Sequence, residues 1–165
     1  MPTLTGQTKE QFDHIKSLYS PKESWLHFLR AIPVKEELEI RPPNPKISME
    51  DVQNQLGIKI PEELAAFWAE CDGFVDPFYT VESTILTTHW MKSHDMFHRM
   101  PFGLAVFFGG LGNGDQFFWG FGQDGTDLGA YYWNHQTDAR EEVGGLADAI
   151  ALAITIREFS LLSNG

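Results

Sequence analysis

The chain has a single cysteine, Cys71, so it can build neither an internal disulfide framework nor a cysteine-based zinc site. Cys71 falls on the apolar face of a helical stretch, where a small buried hydrophobe is expected rather than a nucleophile. Basic residues are also scarce. Twelve Lys and Arg stand against 23 Asp and Glu, a formal charge of −11. Nucleic-acid binders displace counterions with a positive footprint, and this balance argues against that class. An acidic surface steers a basic protein toward it or simply keeps a chain soluble, and charge alone does not separate the two. Long apolar runs are missing too. No uninterrupted segment approaches the roughly 20 residues that cross a bilayer. The apolar-rich stretch 146–162 is broken by Asp148, Arg157 and Glu158, as in a packed core helix. No basic start leads into an apolar run and a cleavage site, so no signal peptide and no membrane are expected, and a cytoplasmic protein is.

Recognisable catalytic signatures are lacking as well. The glycine-rich GGLGNGD lacks the Lys-Ser/Thr ending of a phosphate loop and lies between two strand-like runs, where a hairpin is expected. Ser83, Ser93 and Ser160 have no nucleophile-elbow context. His89, His94 and His98 share one segment, and the i, i+4 spacing of His94 and His98 is one that zinc sites use, with Asp95 as a neighbour. The arrangement H-E-x-x-H is absent, and histidines on a mixed surface helix are more often unliganded. Glu62, Glu63, Glu141 and Glu142 read as solvated helix starts. The expectation is therefore no catalytic residue, no metal and no cofactor.

What is present is core-forming material. With 165 residues, 42% hydrophobic and 13% aromatic, the chain predicts one folded domain. The first third reads as helices. Thr8 and Gln11 form a candidate capping box before Phe12, Ile15 and Tyr19, and Ser20, Pro21 and Glu23 form another. Trp25, Phe28, Leu29 and Ile32 then make an apolar stripe closed by Pro33. The run RPPNP at 41–45 is extended. Ser48 caps a helix carrying Met49, Val52 and Leu56, and Gly57 suits its left-handed end. Pro61 opens the next helix, with Leu64, Phe67, Trp68 and Cys71 inward, and Gly73 closes it. Residues 80–87 read as weakly strand-like and 89–99 as a short helix. Residues 104–108, 116–121, 130–133 and 140–143 read as strands, with turns at 109–114, 124–125 and 134–138. A last helix spans about 146–161. Helices, then a meander, then a helix predict an α+β fold.

Three motifs in this order carry a resemblance. They are QNQLGIKIPEELAAFWAECDG at 53–73, FFGGLGNGDQFFWGF at 107–121 and YYWNHQTDA at 131–139. Together they resemble the SUKH superfamily, particularly the branch that includes fungal cell-wall synthesis regulators. The scaffold positions are Gly57, Pro61, Trp68, Gly73, Gly110, Gly112, Gly114, Trp119 and Trp133. Trp119 and Trp133 are expected to cover the sheet, and Asp115 to bond the amides of its own turn. The resemblance covers about residues 40–160, the size of one domain. Residues 1–34 have no counterpart in it and are expected to form a helical extension packed on a domain of residues 35–165. The expected architecture is a single α+β domain, an antiparallel sheet of about four to six strands against the N-terminal helices and a C-terminal helix.

The resemblance implies a bacterial immunity protein that neutralises a cognate toxin, such as a nuclease or deaminase, by stoichiometric binding without turnover. The alternative it implies is a non-catalytic regulatory or interaction module. A metal-dependent enzyme using the histidine segment is the third reading. The surface expected to meet a basic toxin is Asp72, Asp76, Asp115, Asp124 and Asp127, with Phe78, Tyr79 and Trp90 as apolar anchors. Singly, each aspartate is as well explained by the preference of aspartate for turns.

Overall fold

The computed structural model describes residues 1–75, 77–93 and 102–163, with 89–93 and 160–163 described for their backbone only. Among these residues the order is α1 (Gly6–Ser17), α2 (Trp25–Ala31), α3 (Met49–Leu56), α4 (Glu62–Glu70), α5 (Val81–Ser93), β1 (Leu104–Gly110), β2 (Gln116–Phe121), β3 (Asp127–Asn134), β4 (Ala139–Gly144) and α6 (Leu146–Ser163). The four strands form an antiparallel meander in sequence order, within the expected range. The architecture is α+β, as its helix–meander–helix pattern predicts.

Strand alternation sorts the aromatic residues onto two faces. Leu104, Val106 and Phe108 of β1, Phe117 and Trp119 of β2, and Ala130 of β3 join the main core with the helices. Ala105, Phe107, Phe118 and Trp133 form a second cluster with Phe102, flanked by Tyr79 and Tyr131. Trp119 and Trp133 therefore cover opposite faces. Both faces being apolar explains why β1 is buried along its whole length and shows no polar alternation.

Helix α6 is the centre of the helical layer. Ala149, Ile150, Ala151, Leu152, Ala153 and Ile154 are all inaccessible, more than one face of a helix can supply. It packs on β3 and β4 from one side and against α1 from another. Phe12 and Ile15 of α1 and Trp25, Phe28, Leu29 and Ile32 of α2 lie in the same core. Polar ties fix these helices. The carboxylate of Glu70 on α4 accepts from Trp25 N at 3.0 Å and so caps α2 across 45 residues. Glu63 accepts from Leu146 N at 3.3 Å, and Asp148 from Gly145 N at 3.0 Å, at the start of α6. Lys16 of α1 pairs with Asp148 at 2.5 Å.

Several local expectations are corrected. Residues 81–87 are helical and open α5, with Thr80 just before its first turn. The Thr80 hydroxyl accepts from Ser83 N at 2.9 Å, and Asp72 accepts from Val81 N at 2.7 Å, so two free amides of the first turn are satisfied. Val81, Thr84, Ile85 and Thr88 are buried, and this packing overrides their strand preference. The first helix starts at Gly6 after Thr5, and the Thr8 hydroxyl donates back to Thr5 O instead of capping. The cap of α2 is Ser24, which accepts from His27 N, while Ser20 stays in the preceding turn. Pro61 stands at the N-cap of α4, one place before the first helical residue. Ser48 and Gly57 do as expected: Ser48 accepts from Asp51 N at 3.1 Å, and Gly57 ends α3 at φ 73°.

Candidate functional site

The turns between β1 and β2 and between β3 and β4 lie at one end of the sheet, and Asp115 joins them. Its carboxylate accepts from His135 N at 3.1 Å, meets His135 Nδ1 at 2.8 Å, and takes a short hydrogen bond from the Tyr132 hydroxyl. Asn113 Nδ2 reaches it at 3.3 Å. The expectation that Asp115 bonds the amides of its own turn is corrected. Its side chain binds the neighbouring turn, because antiparallel pairing of β2 with β3 brings Tyr132 and His135 alongside it. Burial pushes the Asp115 carboxyl up, but the hydrogen bonds from Tyr132 and His135 outweigh it, and the group ends below its ordinary value. Burial and then the facing Asp115 push the Tyr132 phenol well up.

Two more aspartates hold tryptophans. Trp119 Nε1 donates to Asp127 Oδ1 at 2.6 Å, and the same oxygen accepts from Gly129 N at 2.9 Å. Trp133 Nε1 donates to Asp138 Oδ1 at 2.8 Å, and Arg140 reaches both oxygens of Asp138 at 3.1 Å. Asp138 takes a left-handed conformation at φ 58°, one that aspartate tolerates better than most side chains.

The residues expected to face a partner are thus distributed unevenly. Asp72 is buried and caps α5. Phe78 is 1% exposed, at the centre of a run of rings from Phe67 and Phe74 to Phe108 and Phe117. Asp115 is buried in the network above. Tyr79 is half-buried, and its hydroxyl donates to Gln116 Oε1 at 2.6 Å. Among the described residues of that surface, Asp124 and Asp127 alone are exposed aspartates, in the turn between β2 and β3 and on the first residue of β3, at the opposite end of the sheet. Hydrogen bonds from the Thr126 side chain and amide hold Asp124 below its ordinary value. Asp76 lies outside the described residues, as do His94, Asp95 and His98 and the side chains of His89 and Trp90. Among the described residues no group of three or more His, Cys, Asp or Glu could hold a metal ion. Also among them, no helix is long and apolar enough to cross a membrane.

Glu141 and Glu142 lie on β4 and not at a helix start, and Glu63 is a cap for α6. Burial pushes the Cys71 thiol up to about 11, which suits a packed side chain. Exposed Leu86, at 62%, and Leu128, at 41%, escaped sequence reasoning, since nothing in their neighbours marks them as outward.

Caps, turn pins and two-sided aromatic packing define an α+β scaffold whose internal polar side chains hold its own elements together. The sequence model of the SMI1/KNR4 family (SUKH-1) matches residues 45–149, and the chain belongs to that family. No curated protein matches the chain. The match runs from the segment before α3 to the first turn of α6, leaving α1 and α2 outside it. The superfamily includes toxin immunity proteins.

Proposed function

We propose that this chain is the immunity component of a bacterial toxin system, a cytoplasmic protein that neutralises a cognate toxin by stoichiometric binding. The observation that carries this reading is the family match, which covers the sheet and the helices α3 to α5. The charge of −11 fits a basic toxin, such as a nuclease or a deaminase. The partner-facing surface is the turn between β2 and β3, where Asp124, Asp127 and Leu128 are exposed. Asp72, Phe78 and Asp115 hold the scaffold together away from that surface: Asp72 at the start of α5, Phe78 in the core and Asp115 at the opposite end of the sheet. Residues 1–34 act as an added layer over α6 and α4 rather than as part of the family core.

A toxin gene is expected beside this one; co-expression of the two should restore growth, and cells with the toxin but without this protein should die. Death despite soluble expression would remove the immunity reading in favour of a regulatory module. With the purified pair, Asp124→Lys should slow association by roughly three- to tenfold, and the wild-type rate should fall steeply as salt is raised from about 0.05 to 0.5 M. A rate indifferent to both would remove electrostatic steering.

A further inference from the structure

The end of the sheet that carries Asp124 also has a cleft of about 370 Å³ between the C-terminal end of α3 and the turn joining β2 to β3. Its walls are formed by Leu56, Gly57, Gly103, Gly122, Gln123 and Asp124, among others. Two of the glycines leave no room for a side chain, Gly103 against backbone and Gly122 against a carboxylate. A Cβ at Gly103 would come within 2.7 Å of Gly122 O, and one at Gly122 within 2.9 Å of Asp124 Oδ1. Much of the lining is consequently bare peptide with one carboxylate folded over it. The amides of Gly57, Gly103, Gly122 and Gly125 are already spent within the fold, on Gln53 O, Phe121 O, Thr126 O and Gly122 O, so the polar groups this flat peptide has left are carbonyl oxygens.

The electrostatics have one sign. The C-terminal end of a helix carries about half a negative charge, and α3 has no basic residue in its last turn to offset it. Asp124 adds a full charge from the facing turn, and Asp127 stands exposed on the first residue of β3. Lys59, two residues past the Gly57 cap, does not line the cleft. A flat, acceptor-rich and negative site suits a planar cation with several donors better than a compact ammonium, which gives up its water less readily.

We propose that this cleft receives an arginine side chain of a basic protein partner, its guanidinium facing Asp124 and the end of α3. The proposal rests on the reading of the chain as a binder of a basic protein and adds the chemistry of the contact.

The test is a ¹⁵N NMR titration of the full chain with the capped peptide acetyl-Gly-Arg-Gly-amide and with its citrulline and lysine counterparts. The arginine peptide should shift the amides of Gly57, Ile58, Gly103 and residues 122–125 saturably. Citrulline, which keeps the shape without the charge, should bind at least about tenfold more weakly, and lysine should fall between them. Asp124→Asn should weaken the arginine peptide by about tenfold, and Gln123→Lys, an exposed position, should abolish its effect. Absent or unsaturable shifts at those amides, an equal response to citrulline, or tighter binding of lysine would each overturn the proposal. Growth rescue together with a cleft that ignores arginine would leave the immunity reading standing and remove this one. Arginine binding without rescue would do the reverse.

Discussion

Replacing Phe78 with alanine should cost about 3–5 kcal/mol of folding stability, the range for a large buried aromatic. The ring stacks on Phe74 at 4.8 Å and lies within 6.2 Å of Phe67, Phe108 and Phe117. Its backbone also bridges Gly109, and the adjacent Tyr79 N donates to Phe108 O at 3.0 Å, so the segment before α5 is stitched to β1. Truncation leaves a cavity where four rings meet, and the stitched backbone keeps its surroundings from collapsing into it. For a chain of this length the loss corresponds to a Tm lower by roughly 6–20 °C. Urea unfolding of the variant measures it. Leu128→Ala, on exposed ground, should change stability by less than about 0.5 kcal/mol. A Phe78→Ala protein of unchanged stability that no longer binds its partner would make Phe78 a contact residue and not a core one.

The second large effect is expected at Asp115. Asp115→Asn should cost about 2–3 kcal/mol near neutral pH, because hydrogen bonds to an ion become neutral ones and one amide group must turn a donor toward Tyr132 or His135. The variant also defines a pH window. The Asp115 carboxyl is more acidic in the folded chain than in the unfolded one. Its contribution is therefore complete above the unfolded value of about 4 and is lost as pH falls through the lower, folded value. The stability gap between wild type and Asp115→Asn should be flat from pH 7 to about 5 and close below about 4. A gap that stays constant down to pH 2 would show that charge contributes nothing to the joining of the two turns. A gap that opens only as pH falls below about 4 would reverse the sign.

The meander was legible because glycine, aromatic and turn residues alternate in blocks there: GGLGNGD and NHQTD cannot continue a strand, and FFWGF does not sit easily in a turn. Helices α3 and α4 were legible because Ser48, Gly57 and Pro61 act locally, within four residues of what they cap. Failures came where partners are far apart in sequence. Helix α5 is opened by Asp72, nine residues upstream, and its β-branched face is stabilised by burial that no local pattern reveals. Glu70 caps a helix 45 residues earlier, and Asp115 bonds a turn 20 residues later. The aspartates looked alike in sequence because aspartate favours turns whichever way its carboxylate points. The structure separates them: Asp72 and Asp115 point inward, Asp127 holds Trp119 from the surface, and Asp124 sits in an exposed turn beside a cleft. The sheet's two-sidedness was half legible: alternation gives each strand two faces, but the faces that Trp119 and Trp133 take depend on the β2–β3 register, and that both faces would be buried showed only in the structure.

The central claim is that this protein acts by occupying a partner rather than by turning over a substrate. Titrating the purified toxin with this protein, while following toxin activity, tests it most directly. Inhibition should rise in proportion to added protein and be complete at one equivalent, with a 1:1 complex recovered by gel filtration. Complete protection at a small fraction of one equivalent, with the toxin left chemically altered, would contradict the account and make the chain an enzyme.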